Sequence, residues 1–119
     1  THREFARTLG KPLVLEEFGI SRDRNVFQPQ TPVTIRDNFY AEVFRYVVES
    51  QKSEAPIAGV NFWAWGGEGS PAHVQWQPGD AFTGDPPHEA QGWYSVYATD
   101  KTTLAVIAAY SRQLAVASR

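Results

Sequence analysis

Glu16 and Glu17 close a short apolar run, Lys11-Pro12-Leu13-Val14-Leu15-Glu16-Glu17-Phe18-Gly19, bounded by proline and glycine. Apolar runs of this length between Pro and Gly read as buried strands. A carboxylate at the carboxyl end of such a strand, just before a glycine, stands where α/β folds place chemistry. It can serve there as a nucleophile or a general acid/base, or hold a structural ion pair. Strict alternation puts Leu13, Leu15 and Glu17 on one face and Val14, Glu16 and Phe18 on the other. A second run, Gly59-Val60-Asn61-Phe62-Trp63-Ala64-Trp65-Gly66-Gly67, places Asn61, Trp63 and Trp65 on a common face. Rings there suit stacking on a flat ligand, or plain packing. Trp76 and Trp93, in the loop region that follows, carry the same two readings.

Other chemistries fade on inspection. His88-Glu89-Ala90-Gln91-Gly92 opens like a zinc-protease helix, but Gly92 occupies the place of the second histidine. His73, Asp80, Asp85, His88 and Glu89 are oxygen- and nitrogen-bearing, yet they read as a solvated loop rather than a cation site. Gly66-Gly67-Glu68-Gly69-Ser70 lacks the lysine of a phosphate loop, and Ser70 has no Gly-x-Ser-x-Gly frame. Neither a metal nor a cofactor is expected.

The elements that must position these residues follow in order. A helix over residues 1–9 is stopped by Gly10. A strand over about 12–18 precedes a polar loop in which Thr31 or Thr34 can cap the next helix. That helix, about 34–52, carries Ile35, Phe39, Val43 and Val47 four apart, with Tyr40, Phe44 and Tyr46 beside them. A strand over about 57–65 is followed by a loop over 66–92. A final helix over about 101–117 presents Leu104, Ile107, Ala108, Ser111 and Leu114, with Asp100 or Thr102 as cap. The order describes two βα units of a parallel sheet. Two strands cannot cover both faces of such a sheet, so the pattern belongs to a larger one.

Composition narrows the classes. A net charge of −2 with scattered arginines lacks the clustered basic face of a nucleic-acid binder. No apolar stretch approaches the ~18 residues of a membrane helix. With no cysteine there is no disulfide, thiolate metal site or Cys nucleophile.

Leu15-Glu16-Glu17-Phe18-Gly19 resembles the nucleophile strand of the retaining glycoside hydrolases of clan A, in which a Glu before an aromatic and a Gly ends barrel strand seven. The fuller Lys11–Gly19 wording is similar to the endo-β-1,4-mannanases of glycoside hydrolase family 5. Phe62-Trp63 resembles the strand-eight tryptophan of that clan, and Gly79-Asp80, Gly84-Asp85-Pro86-Pro87 and Gln91-Gly92-Trp93-Tyr94-Ser95-Val96 read like the long loop after it. The resemblance implies the last quarter of a (β/α)8 barrel, strands seven and eight with their helices, incomplete on its own over residues 1–119. Glu17 is then the nucleophile, Trp63 the floor of the sugar site, and Asn61, Trp65, Trp76 and Trp93 further substrate contacts. Glu16 is left to a salt bridge with a barrel arginine. The implied reaction is hydrolysis of internal bonds of mannan. Rivals are a cellulase or a β-mannosidase on the same frame, and a non-catalytic carbohydrate-binding fragment. The family's acid/base, a Glu after an Asn on strand four, has no counterpart here, because the chain contains no Asn-Glu pair. Alone, the chain is expected to be inactive and to self-associate or to require the N-terminal part of a barrel. The family implies a secreted, periplasmic or cell-surface enzyme.

Overall fold

The computed structural model describes residues 1–117. The elements are α1 (His2–Leu9), β1 (Leu13–Phe18), α2 (Thr34–Ser50), β2 (Ile57–Phe62), β3 (Trp65–Gly67), β4 (Val96–Tyr97) and α3 (Lys101–Ala117), with a 3₁₀ turn at Asp23–Asn25. β1 pairs in parallel with β2, and β3 in parallel with β4. α1 ends at Gly10, whose left-handed φ of 61° lets its N–H turn back to the carbonyls of Ala6 and Arg7.

Alternation breaks inside β1. Leu15 pairs with Val60 but Phe18 pairs with Phe62, so β1 carries one residue more than β2 over this span. That is a β-bulge. Glu17 sits in it with a φ of 54°, in the left-handed region that non-glycine residues rarely enter. The face assignment drawn from strict alternation is therefore corrected. Phe18 rejoins the face of Leu15 and packs edge-on against Phe39, Tyr40 and Phe44 of α2, with centroids 5.0–6.1 Å apart.

The strand expected over 57–65 is also corrected. β2 stops at Phe62, the Trp63–Ala64 peptide is cis, and the chain resumes as β3 in a different pairing. Ala64 is drawn away from β1 by the loop ahead of α3: its N–H donates to Tyr94 O at 3.3 Å, and its carbonyl accepts from Val96 N–H at 2.8 Å.

The core stripe of α2 is Arg36, Tyr40, Phe44, Val47 and Ser50, one position round from the one read in sequence, and Ile35 is 56% exposed. α3 meets it with Leu104, Val106, Ile107 and Tyr110. Ala108 and Ser111, expected on this face, are exposed. The reason for the rotation is a buried ion cluster. Asp100 accepts from Arg22 Nη2 at 2.5 Å and from Arg36 Nη1 at 3.4 Å, with all three side chains almost wholly enclosed. Arg36 also donates to the carbonyls of Ile20 and Ser95, and Arg22 to that of Thr31. The caps also differ from expectation. Asp100 spends its carboxylate on the arginines and on the N–H of Tyr97 rather than on α3. α2 is capped from a distance by Asp23, which accepts from the N–H groups of Thr34 and Ile35 at 3.0 and 2.9 Å.

Replacing Asp100 by alanine would leave two buried guanidinium groups uncompensated, and is expected to cost about 3–5 kcal/mol in denaturant unfolding. Tyr40 behaves differently. Its buried hydroxyl has no hydrogen-bond partner among the described residues, and burial pushes its pKa up to about 12 from 10.0. The folded state thus holds the phenol proton more tightly than the unfolded chain. That contribution is complete below pH 10 and is lost as the pH rises to about 12. Tyr40→Phe is expected to be close to neutral at pH 7 and to unfold less readily in alkali, as read from midpoints between pH 9 and 12.

Candidate active site

Glu17, Gly19, Trp63, Glu89 and Tyr94 line an open pocket of about 320 Å³ beyond the carboxyl ends of β1 and β2. Each arrives by a different route. The bulge tips the exposed Glu17 carboxylate off the strand face. Trp63 is tied to β1 by its N–H, which donates to Phe18 O at 2.7 Å. Tyr94 is fixed through its backbone, its N–H donating to Asp85 Oδ1 at 2.7 Å. Glu89 closes a turn with its N–H on Pro86 O at 2.9 Å. Its Oε2 is buried and accepts no hydrogen bond among the described residues. The pocket therefore carries two carboxylates and two aromatic rings.

Close packing fixes these parts against each other. A Cβ at Gly19 would lie 2.2 Å from Trp63 O and 3.4 Å from the Tyr94 ring. At Gly92, with a φ of 93°, it would lie 2.3 Å from Phe27 O, which brings the long loop down onto the segment after β1.

Of the residues nominated from sequence, Glu17 and Trp63 meet in this pocket. Trp93 stands behind it, stacked on Tyr94 at 5.1 Å and 19°, its Nε1 donating to Asn25 Oδ1 at 3.0 Å. Asn61, Trp65 and Trp76 are not among its lining residues. Asn61 donates from Nδ2 to Glu16 Oε1 at 3.0 Å. Among the described residues this amide is the partner of Glu16. Trp65 lies beyond the cis peptide and is exposed, and Trp76 stacks on Phe82 at 5.4 Å and 12°. Sequence reasoning passed over Gly19, Glu89 and Tyr94 as pocket residues. Tyr94 was legible as the neighbour of Trp93 in the aromatic cluster. Glu89 had no local signal, since a turn in the long loop, far along the chain from β1 and β2, carries it in.

Among the described residues no group of three His, Asp or Glu gathers as a metal site, and no helix is long and apolar enough to cross a membrane. His73 Nδ1 lies 3.0 Å from Asp80, and this hydrogen bond holds the Asp80 carboxyl below its usual range.

Gly19→Ala is expected to force Trp63 and Tyr94 apart, shifting indole fluorescence and lowering the thermal midpoint. An unchanged emission spectrum would mean the contact is not rigid.

A family model described as glycoside hydrolase family 5, β-mannosidase-like, matches residues 1–119. No curated protein matches the chain. Among solved structures the chain is similar to a glycoside hydrolase family 5 mannosidase from Rhizomucor miehei, at 36% identity and a TM-score of 0.80. It is equally similar in fold to a variant of that enzyme with one glutamate changed to alanine, at 35% identity. A second such variant, in complex with mannosyl-fructose, matches at 36% identity with a TM-score of 0.80. Each match covers 98% of this chain and 30% of the other.

Proposed function

Because the chain belongs to glycoside hydrolase family 5, we propose that it forms strands seven and eight, with their helices, of a (β/α)8 barrel that hydrolyses β-mannosidic bonds with retention. The observation that carries this reading is the bulge, which delivers the Glu17 carboxylate into one pocket with the Trp63 ring. In the first step a Glu17 oxygen attacks the anomeric carbon while the leaving-group oxygen takes a proton from the acid/base. The glycosyl ester on Glu17 is then attacked by water, which gives its proton to the same acid/base, and Glu17 is regenerated. Retaining enzymes hold these two carboxyl groups ~5 Å apart. With no Asn-Glu pair in the chain, the acid/base comes from the rest of the barrel.

Trp63 supplies an apolar face for the sugar ring. Glu89 borders the same pocket and is a candidate contact for a sugar hydroxyl. Asn61, Trp65, Trp76 and Trp93 remain candidates for outer contacts. On specificity, the family description and the names of the similar structures favour a mannosidase acting on chain ends. Cleavage inside mannan chains is the second reading, favoured by the wording of the Lys11–Gly19 run. An extracytoplasmic location goes with either.

Glu17→Gln in the enzyme carrying the whole barrel is expected to lower turnover by several orders of magnitude with substrate binding retained. Near-normal hydrolysis would overturn the assignment. Product analysis on mannan and on β-glucan separates the specificities: mannose alone from chain ends, a ladder of manno-oligosaccharides from internal bonds, or release from glucan.

A further inference from the structure

Asp85 is a carboxylate only 2% exposed, in the middle of the long loop, and it does not itself line the pocket. Among the described residues no lysine or arginine pairs with it. Its charge is held by donors instead: Gly92 N–H at 2.8 Å, Tyr94 N–H at 2.7 Å and the Ser95 hydroxyl at 2.5 Å. A carboxylate is the side chain for this place, because both of its oxygens only accept.

The same residue begins the turn that ends on Glu89. Gln91, also 2% exposed, donates from Nε2 to the carbonyls of Asp85, Pro86 and Glu89 at 3.3, 2.9 and 3.2 Å. The two sides of the pocket not supplied by the β1–β2 end, Glu89 and Tyr94, thus hang on one buried anion and one buried amide. Ser95 ties this to the rest of the fold, accepting from Gly84 N–H at 2.9 Å while its carbonyl accepts from Arg36.

We propose that Asp85 is a positioning residue of the sugar pocket: it sets where Glu89 and Tyr94 stand relative to Glu17 and so governs how tightly the pocket grips the sugar. This rests on reading the pocket as a glycosidase site. It separates sugar binding, which depends on the loop wall, from bond cleavage, which depends on Glu17. Small misplacements of positioning groups are costly in binding and rate alike, but a wall remote from the reacting bond acts chiefly on KM.

The test uses the enzyme with its whole barrel, as wild type, Asp85→Asn and Ser95→Ala, with 4-nitrophenyl β-mannoside and 4-nitrophenyl β-glucoside as probes. Asn presents an NH₂ to donors that need an acceptor, so Asp85→Asn is expected to raise KM about tenfold or more with kcat within about threefold. Ser95→Ala is expected to shift KM the same way by less. Hydrogen exchange should speed up at the Gly92 and Tyr94 amides while α2 and β1 keep their protection. An unchanged KM with those amides exchanging freely would overturn the proposal. So would a KM that rises only when α2 loses protection as well, since that is general unfolding. If wild type turns over the glucoside and not the mannoside, the mannose reading falls, and Asp85 is judged on the glucoside by the same two measures.

Discussion

One buried carboxylate with two arginines determines how the parts of this chain meet. Asp100 gathers Arg22 from the loop after β1 and Arg36 from the first turn of α2, just ahead of α3. Taking such charges out of water costs several kcal/mol per ion, so the site persists only because its groups are also hydrogen-bonded. They are, through the carbonyls of Ile20, Thr31 and Ser95 and the N–H of Tyr97. The Arg22 guanidinium further lies over the Tyr97 ring, 5.2 Å from its centroid. Burial first, then the neighbouring Arg22 charge, lowers the pKa of Arg36. Both effects oppose its charge, and Asp100 opposes them.

The consequences run outward from this cluster. Arg36 at the buried end of α2 rotates that helix so that Tyr40 and Phe44, rather than Ile35, face the sheet. Those rings receive Phe18 and Phe62, the two residues that pair across the bulge. With Phe18 held on the helix side, the extra residue in β1 must be absorbed just before it, and Glu17 absorbs it in a left-handed conformation. A left-handed non-glycine residue costs of order 1–3 kcal/mol and persists only where its surroundings over-determine it. The aromatic cluster on one side and the Gly19–Trp63 contact on the other do so here.

The sheet is built on the helix side and open on the other. Val14 is exposed on the face where Gly59 leaves its neighbour without a Cβ, and Phe5 and Leu9 are exposed on α1. In a (β/α)8 barrel that inner face is covered by side chains from the other strands. A chain spanning 30% of the length of its structural relatives leaves such a face open.

The sequence by itself determined the order of helices and strands, their approximate bounds, and the pairing of a carboxylate strand with a tryptophan strand. These depend on local periodicity and on punctuation by Pro12, Gly10 and Gly19, which act within a few residues. It also marked Glu17 and Trp63, because their types and places at strand ends are local facts. Only the tertiary structure decided the bulge that turns Glu17 off its face, the break at Trp63–Ala64, and the one-position rotation of α2. The distant cap of α2 by Asp23 and the recruitment of Asp100 away from α3 belong with them. Each arises from a partner far along the chain, and alternation or 3.6-residue spacing carries no information about such partners. Glu89 and Tyr94 reached the pocket for the same reason: a buried Asp85, held by backbone and hydroxyl donors, folds a loop that has no periodicity of its own.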